Sequence, residues 1–143
     1  MNLFIFAIFC STTALAYTAD FLLRSDEILT YESGRVLISE NGQYRLNLQS
    51  DGNLVVYNVP TGHHVWDTYT HDSGATKAWM RPDGDLWLMK GSEIKWRSLT
   101  RWPGSYLKLE NDGKLVIYKP NSIFPMWINT VGIVWTPWGT EKK

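Results

Sequence analysis

The chain of 143 residues contains one cysteine, has no net charge, and lacks any apolar run long enough to cross a bilayer. Lys+Arg and Asp+Glu both number 14, so no overall electrostatic field attracts nucleic acid or anionic lipid. The longest apolar run, Leu3 to Cys10, is far shorter than the roughly 20 residues of a membrane-spanning helix. The composition therefore argues against nucleic-acid binding and membrane insertion.

The first residues have the features of a signal peptide. The apolar run is followed by Ala14-Leu15-Ala16, a small-x-small pattern typical of a cleavage site. We therefore expect residues 1–16 to be removed and a secreted, extracellular domain to span residues 17–143. Cys10 would leave with the signal, so this domain would have no disulfide and would depend on its apolar core.

An internal repeat organises the rest of the chain. Three segments align without gaps and share an Asp-Gly pair at the same place: residues 46–57 (LNLQSDGNLVVY), 78–89 (AWMRPDGDLWLM) and 107–118 (LKLENDGKLVIY). One tryptophan follows each segment at a similar distance, namely Trp66, Trp96 and Trp127. The pattern predicts a unit of hairpin, loop and tryptophan-bearing strand.

Side-chain alternation defines the turn of each predicted hairpin. A two-residue Asp51-Gly52 turn would mix polar and apolar side chains on both faces. A three-residue loop over residues 50–52 instead pairs Leu48 with Leu54 and Leu46 with Val56, which places all four on one face. The same register gives apolar faces to the other repeats: Ala78, Met80, Leu86 and Leu88 in the second, and Leu107, Leu109, Leu115 and Ile117 in the third.

No helical period competes with this pattern, and residues 28–36 and 42–48 resemble further short strands. We predict an all-β fold. Three repeats that each bury one apolar face need one another, so we expect three small antiparallel sheets around a shared axis. One tryptophan per repeat at a similar offset indicates that Trp66, Trp96 and Trp127 fill this axis rather than bind a ligand.

The opposite face of the first hairpin has side chains suited to a sugar. The register places Gln49, Asn53, Val55 and Tyr57 away from the core, with Asp51 beside them at the turn. A carboxylate, two amides and a phenol supply mixed hydrogen-bond donors and acceptors for vicinal hydroxyls. Val55 supplies an apolar contact for the C–H patch of a sugar ring. This row, Gln-x-Asp-x-Asn-x-Val-x-Tyr, predicts a carbohydrate-binding site.

The row resembles the nine-residue signature of the bulb-type, monocot mannose-binding lectins, and the likeness extends over nearly all of residues 17–143. The resemblance implies a β-prism II fold with pseudo-threefold symmetry and binding of mannose or mannose-rich glycans. It implies that Asp51 and Asn53 bind the axial 2-hydroxyl, Gln49 the 3-hydroxyl, Tyr57 the 4-hydroxyl and Val55 the ring carbons. It implies no metal, and we expect no cofactor. The residues themselves favour no enzymatic activity, because residues 17–143 have no cysteine and no Ser or Thr in a nucleophile elbow, and the Asp and Glu residues are scattered over turns.

The other two repeats depart from this signature. The second has Arg81, Asp83, Asp85, Trp87 and Met89 at the five positions, so we expect no mannose there. The third keeps Asp112, Val116 and Tyr118 and is a second candidate sugar site, with inheritance of the fold as the alternative. Its Glu110 and Lys114 are expected to form an ion pair across the loop.

The sequence offers three alternatives to sugar binding. His63, His64 and His71 with Asp67 or Asp72 could bind zinc, and Asp83 with Asp85 could bind a cation, but neither set offers a full ligand array. The third alternative is a non-catalytic module that binds another protein, modifies taste or has a structural role. In such a module the sugar sites would have lost their binding residues. Its predicted patch is an exposed face of Trp79, Trp87 and Met89.

The carboxyl-terminal segment, residues 128–138, is apolar and prone to form strands but has no fourth motif. In relatives of similar organisation the terminal strand crosses into a partner's sheet. We therefore expect a homodimer in which Ile133 and Trp135 contact the other subunit, with closure of the chain's own first sheet as the alternative.

Overall fold

The computed structural model of the chain describes residues 20–129 and two strands beyond them. The expected signal peptide, residues 1–16, lies outside the described residues. The strands are β1 (Leu22–Leu23), β2 (Ile28–Thr30), β3 (Leu37–Ile38), β4 (Tyr44–Leu48), β5 (Leu54–Asn58), β6 (His64–Asp67), β7 (Lys77–Met80), β8 (Leu86–Lys90), β9 (Glu93–Arg97), β10 (Tyr106–Leu109), β11 (Leu115–Tyr118), β12 (Pro125–Ile128), β13 (Val134–Thr136) and β14 (Gly139–Glu141). Within these described parts, no helix has the length and apolar character needed to span a membrane.

The described residues form three four-stranded antiparallel sheets and one two-stranded sheet, which confirms the all-β prediction. The first sheet has the order β3-β4-β5-β6, the second β2-β7-β8-β9 and the third β1-β10-β11-β12. Each sheet therefore combines one predicted hairpin, the tryptophan-bearing strand after it, and one short strand from the amino-terminal region. The predicted strand region 28–36 is not one element, because β2 joins the second sheet and β3 joins the first.

The three-residue hairpin loop is confirmed. Leu48 pairs with Leu54 and Leu46 with Val56, as the alternation predicts. The backbone N–H of Gln49 donates to Asn53 O at 2.9 Å, which closes the loop over residues 50–52. Gly52 has φ +88°, and a Cβ there would lie 2.5 Å from the backbone nitrogen of Ala75. Glycine is therefore required both by the backbone conformation and by the close approach of the neighbouring segment.

The apolar faces of the three hairpins meet in one core. The leucines of these faces, together with Val56, Met80 and Ile117, are at most 5% exposed. The rings of Trp66, Trp96 and Trp127 lie edge to face in a triangle, with centroid separations of 6.3, 5.8 and 5.8 Å. The predicted tryptophan core is confirmed, with Trp127 buried and the other two half-buried against the core.

The carboxyl-terminal strands pair with each other. β13 and β14 form a two-stranded antiparallel sheet of their own rather than a further strand of the first sheet. Ile133 and the side chain of Trp135, which were expected to contact a partner subunit, lie outside the described residues.

Candidate functional site

The predicted row lies on the face of the first sheet that points away from the core. Val55 sits at its centre, between Asn47 on β4 and Asp67 on β6. The sequence predicted a fully outward row, but Val55 is only 1% exposed and Asn53 only 7%. Val55 therefore forms a floor, and the half-buried Gln49, Asp51 and Tyr57 form the accessible part of the row.

Two hydrogen bonds hold the accessible part of the row in place. Gln49 Nε2 donates to Tyr57 Oη at 2.7 Å, which leaves the phenol proton of Tyr57 free to donate to a ligand. The backbone N–H of Asn53 donates to Asp51 Oδ1 at 2.9 Å. Among the described residues no hydrogen bond reaches the other carboxylate oxygen, Asp51 Oδ2. The row thus presents a fixed carboxylate oxygen and a phenol to the solvent side.

The side chain of Asn53 is held by the tryptophan-bearing strand and the residues after it. Its Nδ2 donates to Asp67 Oδ2 at 2.6 Å. Its Oδ1 accepts from Thr68 Oγ1 and from the backbone N–H of Thr70, both at 3.1 Å. Because the Thr70 N–H can only donate, the amide can have only this orientation. One Nδ2 proton therefore remains for a ligand.

The sequence predicts no sugar-binding role for Asp67, Thr68 or Thr70, and it offers Asp67 only as a possible zinc ligand. The available signal was their position directly after Trp66, a tryptophan whose strand pairs with the motif strand. The register of that pairing, which brings Asp67 beside Val55, is interrupted by an irregularity between Val56 and Tyr57. Counting residues from the motif could therefore not place Asp67 in the row.

In the second repeat the corresponding row is filled by its own side chains. The guanidinium of Arg81 lies 3.7 Å from the centre of the Trp87 ring, and its Nη2 is 3.1 Å from Asp83 Oδ2. Trp87 Nε1 donates to Asp85 Oδ2 at 2.7 Å. The predicted exposed face of Trp79, Trp87 and Met89 is partly wrong. Met89, at the position that Tyr57 has in the first repeat, is only 6% exposed, whereas Trp79 and Trp87 are half-buried.

In the third repeat the expected ion pair between Glu110 and Lys114 is wrong. Lys114 Nζ instead donates to Asp112 Oδ2 at 2.6 Å, because both residues sit in the same turn. Glu110 accepts from Tyr118 Oη at 2.7 Å and pairs with Lys108 Nζ at 2.9 Å. The bond from Tyr118 to Glu110 occupies the place of the Gln49–Tyr57 bond in the first repeat.

These contacts shift the pKa values of three side chains in the third row. The hydrogen bond from the Lys114 ammonium lowers the pKa of Asp112 and raises that of Lys114. Burial, together with the hydrogen bond to the Glu110 carboxylate, raises the pKa of Tyr118 to about 12. The third row is thus an internally paired set of charges with a neutral phenol at physiological pH.

The three turn aspartates differ in one respect that bears on ligand binding. In every repeat the first carboxylate oxygen accepts a backbone N–H from two residues onward. The second oxygen is 3.1 Å from Arg81 in the second repeat and bonded by Lys114 in the third. Within the described residues, only Asp51 keeps that oxygen unpaired. The first row is therefore the one best prepared to bind a hydroxyl.

The alternative sites receive little support from the geometry. No three His, Cys, Asp or Glu side chains cluster as metal ligands in the described part of the chain. A surface cavity of about 470 Å³ lies beside the third sheet, and no residue of the first row lines it. Its lining residues are Phe21, Leu22, Arg24, Ser25, Gly104, Tyr106 and Lys108. The first row therefore lies on the sheet surface rather than in this cavity.

Comparison with known proteins identifies the fold and the family, although no family model matches the chain. The B-type lectin plumieribetin of Scorpaena plumieri is 30% identical over 107 residues, which cover 72% of this chain and 89% of that protein. A monomeric monocot mannose-binding lectin from Gastrodia elata superimposes with a TM-score of 0.66 at 31% identity, over 77% of this chain and 96% of that one.

A third similar protein is the mannose-specific agglutinin of snowdrop, Galanthus nivalis, solved with methyl-α-D-mannoside. It has a TM-score of 0.60 at 28% identity, over 73% of this chain and 94% of that one. Three sheets around a tryptophan axis, in common with these structures, define a β-prism II lectin, a non-catalytic carbohydrate-binding protein. The chain belongs to the family of bulb-type, or B-type, lectins.

Proposed function

We propose that the chain is a secreted lectin that binds mannose or mannose-rich glycans through Gln49, Asp51, Asn53, Val55 and Tyr57. The observation that carries this proposal is the unpaired Oδ2 of Asp51, since the equivalent oxygens have side-chain cations in the other repeats. The two monocot lectins compared above, one described as mannose-binding and one as mannose-specific, support mannose as the sugar.

The donors and acceptors of the row suit an axial 2-hydroxyl. A hydroxyl can donate one hydrogen bond while it accepts others. The 2-hydroxyl would donate to Asp51 Oδ2 and accept the remaining Nδ2 proton of Asn53. Gln49 and Tyr57 would bind the 3- and 4-hydroxyls, and the ring carbons would rest on Val55. Glucose has an equatorial 2-hydroxyl, which would miss both of the first two partners.

The test is the substitution Asp51→Asn. It keeps one oxygen for the backbone N–H of Asn53 and places an NH₂ group where the hydroxyl needs an acceptor. We expect affinity for methyl-α-D-mannoside to fall about tenfold or more, which corresponds to about 1.4 kcal/mol. Retention on mannose resin and competition by free sugars measure it, and glucose should compete far worse than mannose.

The matched control is Asp112→Asn, the same change at a turn whose oxygen is already bonded by Lys114. This variant should bind mannoside as the unaltered chain does. Unchanged affinity of Asp51→Asn, or equal competition by glucose and mannose, would overturn the proposal. The third row, with Asp112, Val116 and Tyr118, stays a secondary candidate that would first require displacement of Lys114.

The homodimer and the removal of residues 1–16 are also part of the proposal. Two sites on one rigid body can raise apparent affinity for a branched glycan by about 10² to 10⁴. The Gastrodia lectin is described as monomeric, so the fold itself does not demand pairing. Light scattering of the secreted chain tests the dimer, and amino-terminal sequencing should begin at Tyr17. A monomer mass at micromolar concentration, or an intact Met1, would contradict the respective expectation.

A further inference from the structure

We infer that Asp67 is a positioning residue of the mannose site: it orients the Asn53 amide so that the second N–H of that amide faces the sugar. The inference rests on the proposed function of the first row. Asp67 lies outside the nine-residue motif, on β6, where it pairs in register with Val55 of the motif strand. It therefore adds a residue from a second strand to the site.

The geometry fixes the Asn53 side chain completely. The 2.6 Å contact between Asn53 Nδ2 and Asp67 Oδ2 is short, as expected for a hydrogen bond to a charged acceptor. On the other side of the amide, Thr68 and Thr70 hold Oδ1. With both ends bonded, the amide keeps one orientation before the ligand arrives. A donor that is already oriented loses less conformational entropy on binding.

A structural role alone does not explain an aspartate at position 67, because a buried carboxylate lowers the stability of the fold. It is 7% exposed, and its Oδ1 has no hydrogen-bond partner among the described residues, although His64 Nε2 lies 3.3 Å away. A buried carboxylate with an incomplete set of hydrogen bonds destabilises a fold. Its position beside the complete motif therefore indicates a role in the site.

Comparison with the other two repeats shows which contacts around Asn53 recur as part of the fold and which contact, that of Asp67, belongs to the first repeat alone. The second repeat reproduces the hydroxyl contacts, since Ser98 Oγ donates to Asp85 Oδ1 and Thr100 Oγ1 donates to Gly84 O. The position of Asp67 is different in each repeat. It is Arg97 beside Trp87 in the second sheet and Ile128 beside Val116 in the third. An aspartate occurs at this position only in the repeat that has the motif asparagine.

The experiment uses Asp67→Ile and Asp67→Asn, with Arg97→Ile as the matched control at the equivalent position of the second sheet. Isoleucine occupies this position in the third sheet, as Ile128, so the fold accommodates it. Each ¹⁵N-labelled chain is titrated with methyl-α-D-mannoside and followed by NMR, which reports affinity, backbone integrity and the side-chain amide signal of Asn53 together.

We expect Asp67→Ile to weaken mannoside binding about tenfold, because the amide loses its orienting acceptor. Asp67→Asn should stay within about threefold of the unaltered chain, since its amide oxygen can still accept from Asn53. The Asn53 Nδ2 proton signals should move strongly in Asp67→Ile and less in Asp67→Asn. Arg97→Ile should change neither the affinity nor these signals.

Three results would overturn the inference: Asp67→Ile binding as well as the unaltered chain, Asp67→Asn losing as much as Asp67→Ile, or lost affinity with an unmoved Asn53 amide signal. Failure of the proposed function looks different, because the unaltered chain itself would then show no titration with methyl-α-D-mannoside. That result would remove the role of Asp67 along with the site.

Discussion

Single side chains distinguish the proposed sugar site of the first repeat from the corresponding rows of the other two repeats. Asp51, Asp83 and Asp112 occupy the same place in the same turn, and each accepts the same backbone hydrogen bond. What differs is the neighbour two residues away, which is Arg81 in the second repeat and Lys114 in the third. A cation at that distance bonds the aspartate, and the oxygen that would bind a hydroxyl is no longer free.

Substitution of Lys114 by Gln should show directly that the Lys114 ammonium occupies the second carboxylate oxygen of Asp112. Because the Lys114 ammonium holds the pKa of Asp112 below its ordinary value, Lys114→Gln should raise that pKa toward the ordinary range. A carboxyl with a lowered folded-state pKa stabilises the fold above its unfolded pKa, and this contribution is lost as pH falls through the folded pKa. The Asp112 side chain is 55% exposed, so the stability change should be small.

A carboxyl-detected NMR titration measures the pKa of Asp112. The control is Lys119→Gln, since Lys119 Nζ lies 4.0 Å from the Trp102 ring and does not pair with Asp112. An Asp112 pKa that stays low in Lys114→Gln would contradict the observed pairing.

At the scale of the strands, the third hairpin should accept a rebuilt sugar site. Glu110→Gln with Lys114→Asn restores Gln-x-Asp-x-Asn-x-Val-x-Tyr on a hairpin with the same register as the first. The Tyr118–Glu110 bond already mirrors the Tyr57–Gln49 bond. Calorimetry with methyl-α-D-mannoside should therefore change from one site per chain to two, with the new site weaker because Ile128 stands where the first sheet has Asp67.

The single substitution Glu110→Gln is the control for this design. It leaves Lys114 on Asp112, so the stoichiometry should stay at one. If the double variant folds and still binds a single mannoside, then the side chains of the row are not what closes the third repeat.

The hairpins could be predicted from the sequence because their information is local. Alternation within twelve residues determined the turn, and therefore the pairing of Leu48 with Leu54 and its equivalents. The third strand of each sheet could not be placed with the same accuracy, because the pairing shifts between Val56 and Tyr57, and between the equivalent residues of the other sheets. Those shifts determine which side chain lies beside Val55, and the role of Asp67 depends on them.

The partner of Lys114 was also beyond sequence reasoning. Glu110 and Asp112 are both close to it along the chain, and only the turn geometry and the competing contacts of Lys108 and Tyr118 direct Glu110 elsewhere. Charge pairing at a turn depends on side-chain direction, which a residue count does not supply.

At the scale of the whole molecule, the amino-terminal region links the sheets. β1, β2 and β3 follow one another in the chain but join the third, second and first sheets respectively. Arg35, just before β3, bonds the carboxylates of Asp20, before β1, and Glu27, before β2. A single guanidinium thus connects the segments leading into all three sheets. In strands of two or three residues, the alternation of polar and apolar side chains is too short to predict which sheet each strand joins.

The tryptophan triangle is the other connection among the three sheets, and it gives the last prediction. Trp127, which is 7% exposed, contacts both other rings edge to face. Truncating it by Trp127→Ala removes the most buried of the three rings at the axis and should lower the free energy of unfolding by about 3–5 kcal/mol. The matched control is Trp102→Ala, because Trp102 is 48% exposed and lies outside the triangle. Its loss should cost less than about 1 kcal/mol.

Urea denaturation followed by far-ultraviolet circular dichroism measures both changes, and mannoside titration of the folded protein separates stability from binding. Any Trp127→Ala protein that remains folded should bind mannoside at the first row with little change, since Trp127 belongs to the third sheet. Equal costs for the two truncations would show that the three sheets are held together by something other than the tryptophans at their axis.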